Sequence, residues 1–149
     1  MAKALKQAVH DVFFAVLEHL AKYMPIVEGG GTTSTTLDSF CKSQWPKLFK
    51  GVFAADQHPS NEQMRQGMYI INTDKSDEPG EHWTAVCDGH FYDSFDRSSG
   101  TLFTDIRLPG TGDDQEVRQR RVESNCGQRC VAFLACCREF GAETASRYL

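Results

Sequence analysis

Cys126 is followed by Gly127 and stands just ahead of an apolar run, Val131-Ala-Phe-Leu-Ala-Cys-Cys137. A thiol so placed falls at the N-terminus of a buried helix. Free backbone N–H groups and the positive end of the helix dipole favour thiolate over thiol there. Gly127 keeps side-chain bulk away from the sulfur. Cys130, Phe133, Leu134 and Cys137 share one helical face, so Cys130 reads as core and Cys126 as the accessible thiol at the tip. A lone cysteine of this kind is more often a small buried hydrophobe than a nucleophile. The question is whether the chain also carries a base, a group to orient it, and a donor for an oxyanion.

His82 opens an apolar stretch, His82-Trp-Thr-Ala-Val-Cys87, one residue after the Pro79-Gly80 pair of a loop. A histidine at a strand start can face a cleft, and its ordinary pKa of about 6.5 suits a base for a thiol. His10 and His19 fall on a helix, His58 in a loop and His90 beside a turn, without comparable context. Asp88-Gly89 signals a hairpin, which brings Asp93 to within about one residue of facing His82. Side chains so paired lie about 4.5–5.5 Å apart at Cβ, close enough for a carboxylate to orient an imidazole. Asp96 is the rival for that role. Gln119, seven residues ahead of Cys126, could supply a neutral amide N–H to an oxyanion, beside the backbone N–H of Cys126. Gln115, Asn125 and Gln128 are alternatives. Arg118, Arg120 and Arg121 around Gln119 read as a solvated face, or at most as a weak contact for DNA or another acidic partner.

These residues need elements to hold them. Residues 1–28 read as an N-terminal amphipathic helix: Leu5, Val9, Val12, Phe13, Val16, Leu17, Leu20 and Met24 recur at helical spacing. It packs on the core or, as the minority reading, binds a partner. Residues 29–36 form a Gly/Thr linker, and 37–149 the main domain. A short helix is expected from Leu37 to Trp45, capped by Thr35 or Thr36. Gly67–Asn72 is continuously apolar, which suits a strand buried on both faces. His82–Cys87 and His90–Phe95 complete an antiparallel meander, with a fourth strand expected over Val117–Val122. The order of helices, meander and core helix makes an α+β domain.

Bulk properties narrow the function. The chain has 149 residues, within the range of one domain, and a formal net charge of -4. That balance argues against a dedicated nucleic-acid binder. No apolar run has the length to span a bilayer. No secretion signal is evident, so the six cysteines are expected free, in an intracellular reducing compartment. Cys126-x3-Cys130 with Cys136-Cys137 lacks the ligand spacing of a zinc site, so no metal is expected.

The order His82-Trp83, Asp93-Ser94, Gln119, Asn125-Cys126-Gly127 resembles cysteine proteases of the adenovirus protease (adenain) type, found in small DNA viruses and virus-like elements. Their clan is shared with the Ulp proteases that act on SUMO. Phe49–Pro59, Ile70–Asp74 and Pro79–Trp83 add to the likeness, which runs from about Thr35 to Phe140. The resemblance implies an antiparallel sheet packed on a central helix that carries the nucleophile, a papain-like/adenain-like fold, here with an extra N-terminal helix. It implies that Cys126 attacks, His82 is general base and then acid, and Asp93 orients His82. Gln119 and the Cys126 N–H would form the oxyanion hole. Trp83, Gly127 and Asn125 would contact substrate in a groove that accepts Gly-Gly or Gly-X. Asp93 stands where adenain has Glu, which is closer to the Ulp branch. The implied role is processing of viral capsid or core precursors, in the host nucleus and virion, without a metal or other cofactor beyond an activating viral peptide or DNA. A SUMO or ubiquitin-like deconjugase and a silent interaction module are the alternatives. Ile26-Val-Glu-Gly-Gly-Gly31 itself resembles a glycine-type cleavage site, though it also reads as a plain linker.

Overall fold

The computed structural model describes residues 2–24, 31–112, 117–120 and 123–149. In chain order these form α1 (Ala2–Tyr23), α2 (Ser34–Gln44), β1 (Phe49–Phe53), a 3-10 turn (Gln63–Arg65), β2 (Met68–Asn72), β3 (Trp83–Cys87), β4 (His90–Tyr92), α3 (Ser99–Leu102), α4 (Cys126–Phe140) and α5 (Ala142–Tyr148). The strands make one mixed sheet in the order β1-β2-β3-β4. The fold is therefore α+β.

The continuous apolar run of β2 has the cause expected of it: all five of its residues are buried. Alternation sends them to opposite faces. Met68 and Ile70 join a core built on α1 and α4, while Tyr69 and Ile71 join a second core with Met64, Phe91, Phe103 and Ile106. The sheet is thus covered on both sides. α4 lies in the larger core with ten of its side chains buried, at Cys126, Gln128–Leu134, Cys136 and Cys137, and Phe133 stacks on Tyr92 of β4 at 4.7 Å between ring centroids.

α1 belongs to that core. Val9, Phe13 and Leu20 have no solvent exposure and pack with α4 residues. Each buried side chain of this size contributes about 1.5–3 kcal/mol over its exposed state. Ring Nε2 of His10 and the Tyr148 carbonyl, 2.9 Å apart, tie the helix to α5.

Four expectations change. The sheet is not a pure antiparallel meander: Phe49–Phe53 forms β1, parallel to β2, with its register shifted around Gly51. β4 stops at Tyr92 rather than Phe95, because the chain turns there through an Asp96 N–H to Asp93 carbonyl bond, with Asp96 at φ 61°. Residues 117–120 form no strand; Gln119 N–H bonds the Ser94 carbonyl, beyond the end of β4, so no ladder can continue. Arg121 and Val122 lie outside the described residues. α2 begins at Ser34, with the Thr33 hydroxyl accepting from Thr36 N–H. The polar Thr33–Thr36 stretch is therefore a helix cap and first turn rather than linker, while Gly29 and Gly30 lie outside the described residues.

Candidate active site

The hairpin at Asp88-Gly89 is a two-residue turn with both residues at positive φ, 46° and 81°, the pattern of a type I′ turn. It pairs Cys87 with His90 and Ala85 with Tyr92. Continuing that register sets Asp93 across from Thr84, two residues along from His82. The two are diagonal neighbours, not the near-opposite pair expected. Their side chains still meet: His82 Nε2 and Asp93 Oδ1 form a close hydrogen bond. Asp96, the rival carboxylate, instead accepts from the Thr111 hydroxyl at 3.2 Å.

The carboxylate is itself anchored. Asp93 Oδ2 accepts from Arg97 N–H at 3.0 Å and from Arg97 Nε at 2.8 Å. The Arg97 guanidinium lies over Phe95 at 5.3 Å, and Phe95 lies against the His82 ring at 5.3 Å between centroids. Arg97 was not singled out by the sequence. The signal available was an acid–base pair at i, i+4 across the chain turn.

Cys126 starts α4, with Asn125 as N-cap residue. Its thiol is buried, 7 % exposed, not the accessible tip expected. Thr32 and Trp83 cover the start of the helix. Trp83 Nε1 donates to the Thr32 carbonyl at 3.0 Å. A Cβ on Gly127 would lie 2.5 Å from the Thr32 methyl and 3.3 Å from the Trp83 ring, so only glycine fits there.

Burial alone would disfavour both charges of the Cys126–His82 pair. For Cys126, burial raises the pKa, but hydrogen bonds from the His82 side chain and the Trp83 and Gly127 backbones, with the His82 charge, bring it below the ordinary thiol value. For His82, burial lowers the pKa, but hydrogen bonds to Asp93 and Cys126 and their charges raise it to about 9. Asp93 is burdened by burial too, yet His82 and Arg97 bring it down to about 2. With Nε2 held by Asp93, Nδ1 is the nitrogen left for the thiol. All three shifts favour a thiolate beside an imidazolium. Among the other cysteines, Cys41 and Cys136 are pushed up to about 12 by burial, so Cys126 is chemically distinct.

His82 and Cys126 line a cavity of about 380 Å³ together with Gln119, Phe95, Gly80 and Gly31. Gln119 is buried, 4 % exposed, and its amide has a defined orientation. Nε2 donates to the Glu123 carbonyl at 2.6 Å, and Oε1 accepts from the Ser94 hydroxyl at 2.5 Å. A carbonyl can only accept, so the amide cannot be flipped, and Nε2 keeps one hydrogen for another acceptor. The alternatives fall away on geometry. Gln128 Nε2 donates to the Met24 carbonyl at 2.8 Å; Gln115 lies outside the described residues. Asn125, expected to contact substrate, has its Oδ1 taken by Arg129 Nε at 3.0 Å. Trp83 lines a second cavity of about 540 Å³ with Thr32, Phe53, Asn72 and Gly80; Gly80 borders both. Arg118 and Arg120 are exposed, while Arg121 lies outside the described residues. No described helix is long and apolar enough to cross a membrane.

Comparison with protein-family models, with curated proteins and with solved structures returned no match.

Proposed function

We propose that the protein is a cysteine endopeptidase of the adenain/Ulp type, with a papain-like arrangement of sheet and nucleophile-bearing helix. The observation that carries this reading is the chain of contacts Cys126–His82–Asp93 at the N-terminus of α4. A buried carboxylate, an imidazole and a thiol in that order are the working parts of covalent acyl transfer. Cys126 thiolate attacks the scissile carbonyl. The tetrahedral oxyanion is met by Gln119 Nε2–H and the Cys126 backbone N–H. The His82 imidazolium gives its proton to the leaving amine, leaving a thioester on Cys126. Neutral His82 then takes a proton from water, which attacks the thioester and regenerates the thiolate.

The closeness of Thr32 and Trp83 over Gly127 supports substrates with glycine beside the cut. Gly-Gly or Gly-X sites in viral capsid or core precursors are the proposed targets. Gly31 lines the same cavity as Cys126. The test is a Gly-Gly peptide aldehyde or vinyl sulfone, followed by peptide mapping. Labelling at Cys126, lost in Cys126→Ser, is the expected result; an unlabelled wild-type protein sinks the proposal. Side-by-side assay of Gly-Gly peptides and folded SUMO or ubiquitin fusions separates a processing enzyme from a deconjugase.

A further inference from the structure

We infer that Arg129 is the positioning residue of the oxyanion hole and that Phe13 of α1 is the platform on which its guanidinium rests, which makes α1 part of the catalytic assembly. The inference rests on the protease reading above and concerns how that site is held.

Arg129 is buried, 4 % exposed, although it carries a permanent charge. A buried charge persists only when its donors are met, and here each acceptor lies on the segment that leads into Cys126. Nη1 donates to the Val117 carbonyl at 2.7 Å, Nη2 to Glu123 Oε2 at 3.1 Å, and Nε to Asn125 Oδ1 at 3.0 Å. Val117 precedes Gln119 by two residues, and Asn125 directly precedes Cys126. Glu123 is shared: its carboxylate binds Arg129, while its carbonyl accepts from Gln119 Nε2. One guanidinium thus ties both ends of the segment that offers the oxyanion donor. A purely architectural ion pair would need only Glu123. The spread over three acceptors uses the planar fork that lysine lacks.

The face of the guanidinium is also occupied. Its carbon stands 5.9 Å from the centroid of the Phe13 ring, and Phe13 is fully buried between α1 and the core. Arg129 therefore connects a helix at the start of the chain to a hydrogen-bond donor in the catalytic cavity.

The test measures three quantities on wild type, Arg129→Gln, Arg129→Lys and Phe13→Leu: kcat and KM on a Gly-Gly peptide, the rate of Cys126 alkylation by iodoacetamide, and the melting temperature. Alkylation needs the thiolate but no oxyanion hole. Arg129→Gln is expected to lower kcat by about 10- to 100-fold, the range for a misplaced or lost oxyanion donor. KM and alkylation should stay within about twofold of wild type. Arg129→Lys should recover little of the loss, and Phe13→Leu should lower kcat in the same direction by a smaller factor. Unchanged kcat in Arg129→Gln overturns the inference, as does a parallel fall in hydrolysis and alkylation. If Arg129→Gln does not fold, Glu123→Gln carries the same test at a partly exposed position: lower kcat with unaltered alkylation supports the inference, and unaltered kcat overturns it. Wild type that neither hydrolyses nor reacts with the peptide electrophile removes the protease reading itself, and that outcome needs no variant to recognise it.

Discussion

The two halves of the proposed catalytic cavity are built in different ways. His82, Asp93, Phe95 and Arg97 lie within sixteen consecutive residues and are joined by one hairpin turn and contacts made along it. Cys126 and Gln119 lie on an irregular segment and a helix tip. They are held by Ser94 from beyond the hairpin, by Arg129 from within α4, and through Arg129 by Phe13 of α1. The base half is a local product of strand register. The nucleophile half exists only once the ends of the chain have met. A local unit tolerates substitution elsewhere in the fold, whereas a unit held by long-range packing responds to changes far from the chemistry.

The largest expected effect falls where the halves touch. Cys126→Ala and His82→Ala should each lower peptide turnover by roughly 10⁴-fold or more, as removal of either member of such a pair does, with the melting temperature recorded to exclude unfolding. Only the first should abolish alkylation outright.

Within the base half, Asp93→Asn should cost about 10²- to 10⁴-fold in kcat, because the imidazole loses the partner that orients it and stabilises its charge. Its pH signature is distinctive. His82 has its pKa raised to about 9, so the imidazolium that protonates the leaving amine is lost as pH climbs through about 9. Wild-type hydrolysis should fall there while alkylation does not. Without Asp93 that limb should move to lower pH, read from a pH–rate profile. Stability follows the opposite sign for the carboxylate: Asp93 has its pKa lowered from 3.8 to about 2. Its stabilisation is fully present above 3.8 and disappears as pH falls through about 2. It amounts to roughly 2 kcal/mol, measurable as a smaller acid sensitivity of the Asp93→Asn melting temperature.

Within the nucleophile half, Gln119→Ala should cost roughly 10²–10³-fold in kcat, the loss seen when one oxyanion donor is deleted, and should leave the alkylation rate near wild type. Equal falls in both rates would show that Gln119 only holds the loop. The smallest effect is expected for Arg97→Gln, whose guanidinium is partly exposed. A loss of about 3- to 10-fold in kcat is expected, since the carboxylate that orients His82 loses charge-assisted hydrogen bonds, which are about twice as strong as neutral ones.

Much of the base half was legible in the residues. Asp88-Gly89 is a strong local turn signal, so strands on either side of it, and a meeting of His82 with Asp93, followed from short-range rules. The offset is one residue larger than expected, because the two-residue turn sets Asp93 across from Thr84 and its side chain reaches diagonally to His82. Gln119 could be proposed from its position ahead of Cys126, but the partners that orient it, Ser94 and Glu123, could not. Arg129 reads as an ordinary polar residue on a helix and Gln128 as an alternative oxyanion donor; only the fold turns Gln128 to the Met24 carbonyl and Arg129 to the Val117 carbonyl. β1 carries no such signal, because a parallel partner leaves no local turn to announce it.

What the sequence determined by itself were the groups of short range and strong periodicity: α1, the doubly buried β2, the hairpin, and a thiol at the head of an apolar helix. Tertiary structure alone decided that Thr32 and Trp83 close over Gly127 beside Cys126, that Asn125 serves Arg129 and not the cavity, and that the thiolate is favoured despite burial. The reason is that periodicity and turn signals depend on neighbours along the chain, while the ionisation of a buried thiol depends on which distant charges and hydrogen-bond donors surround it.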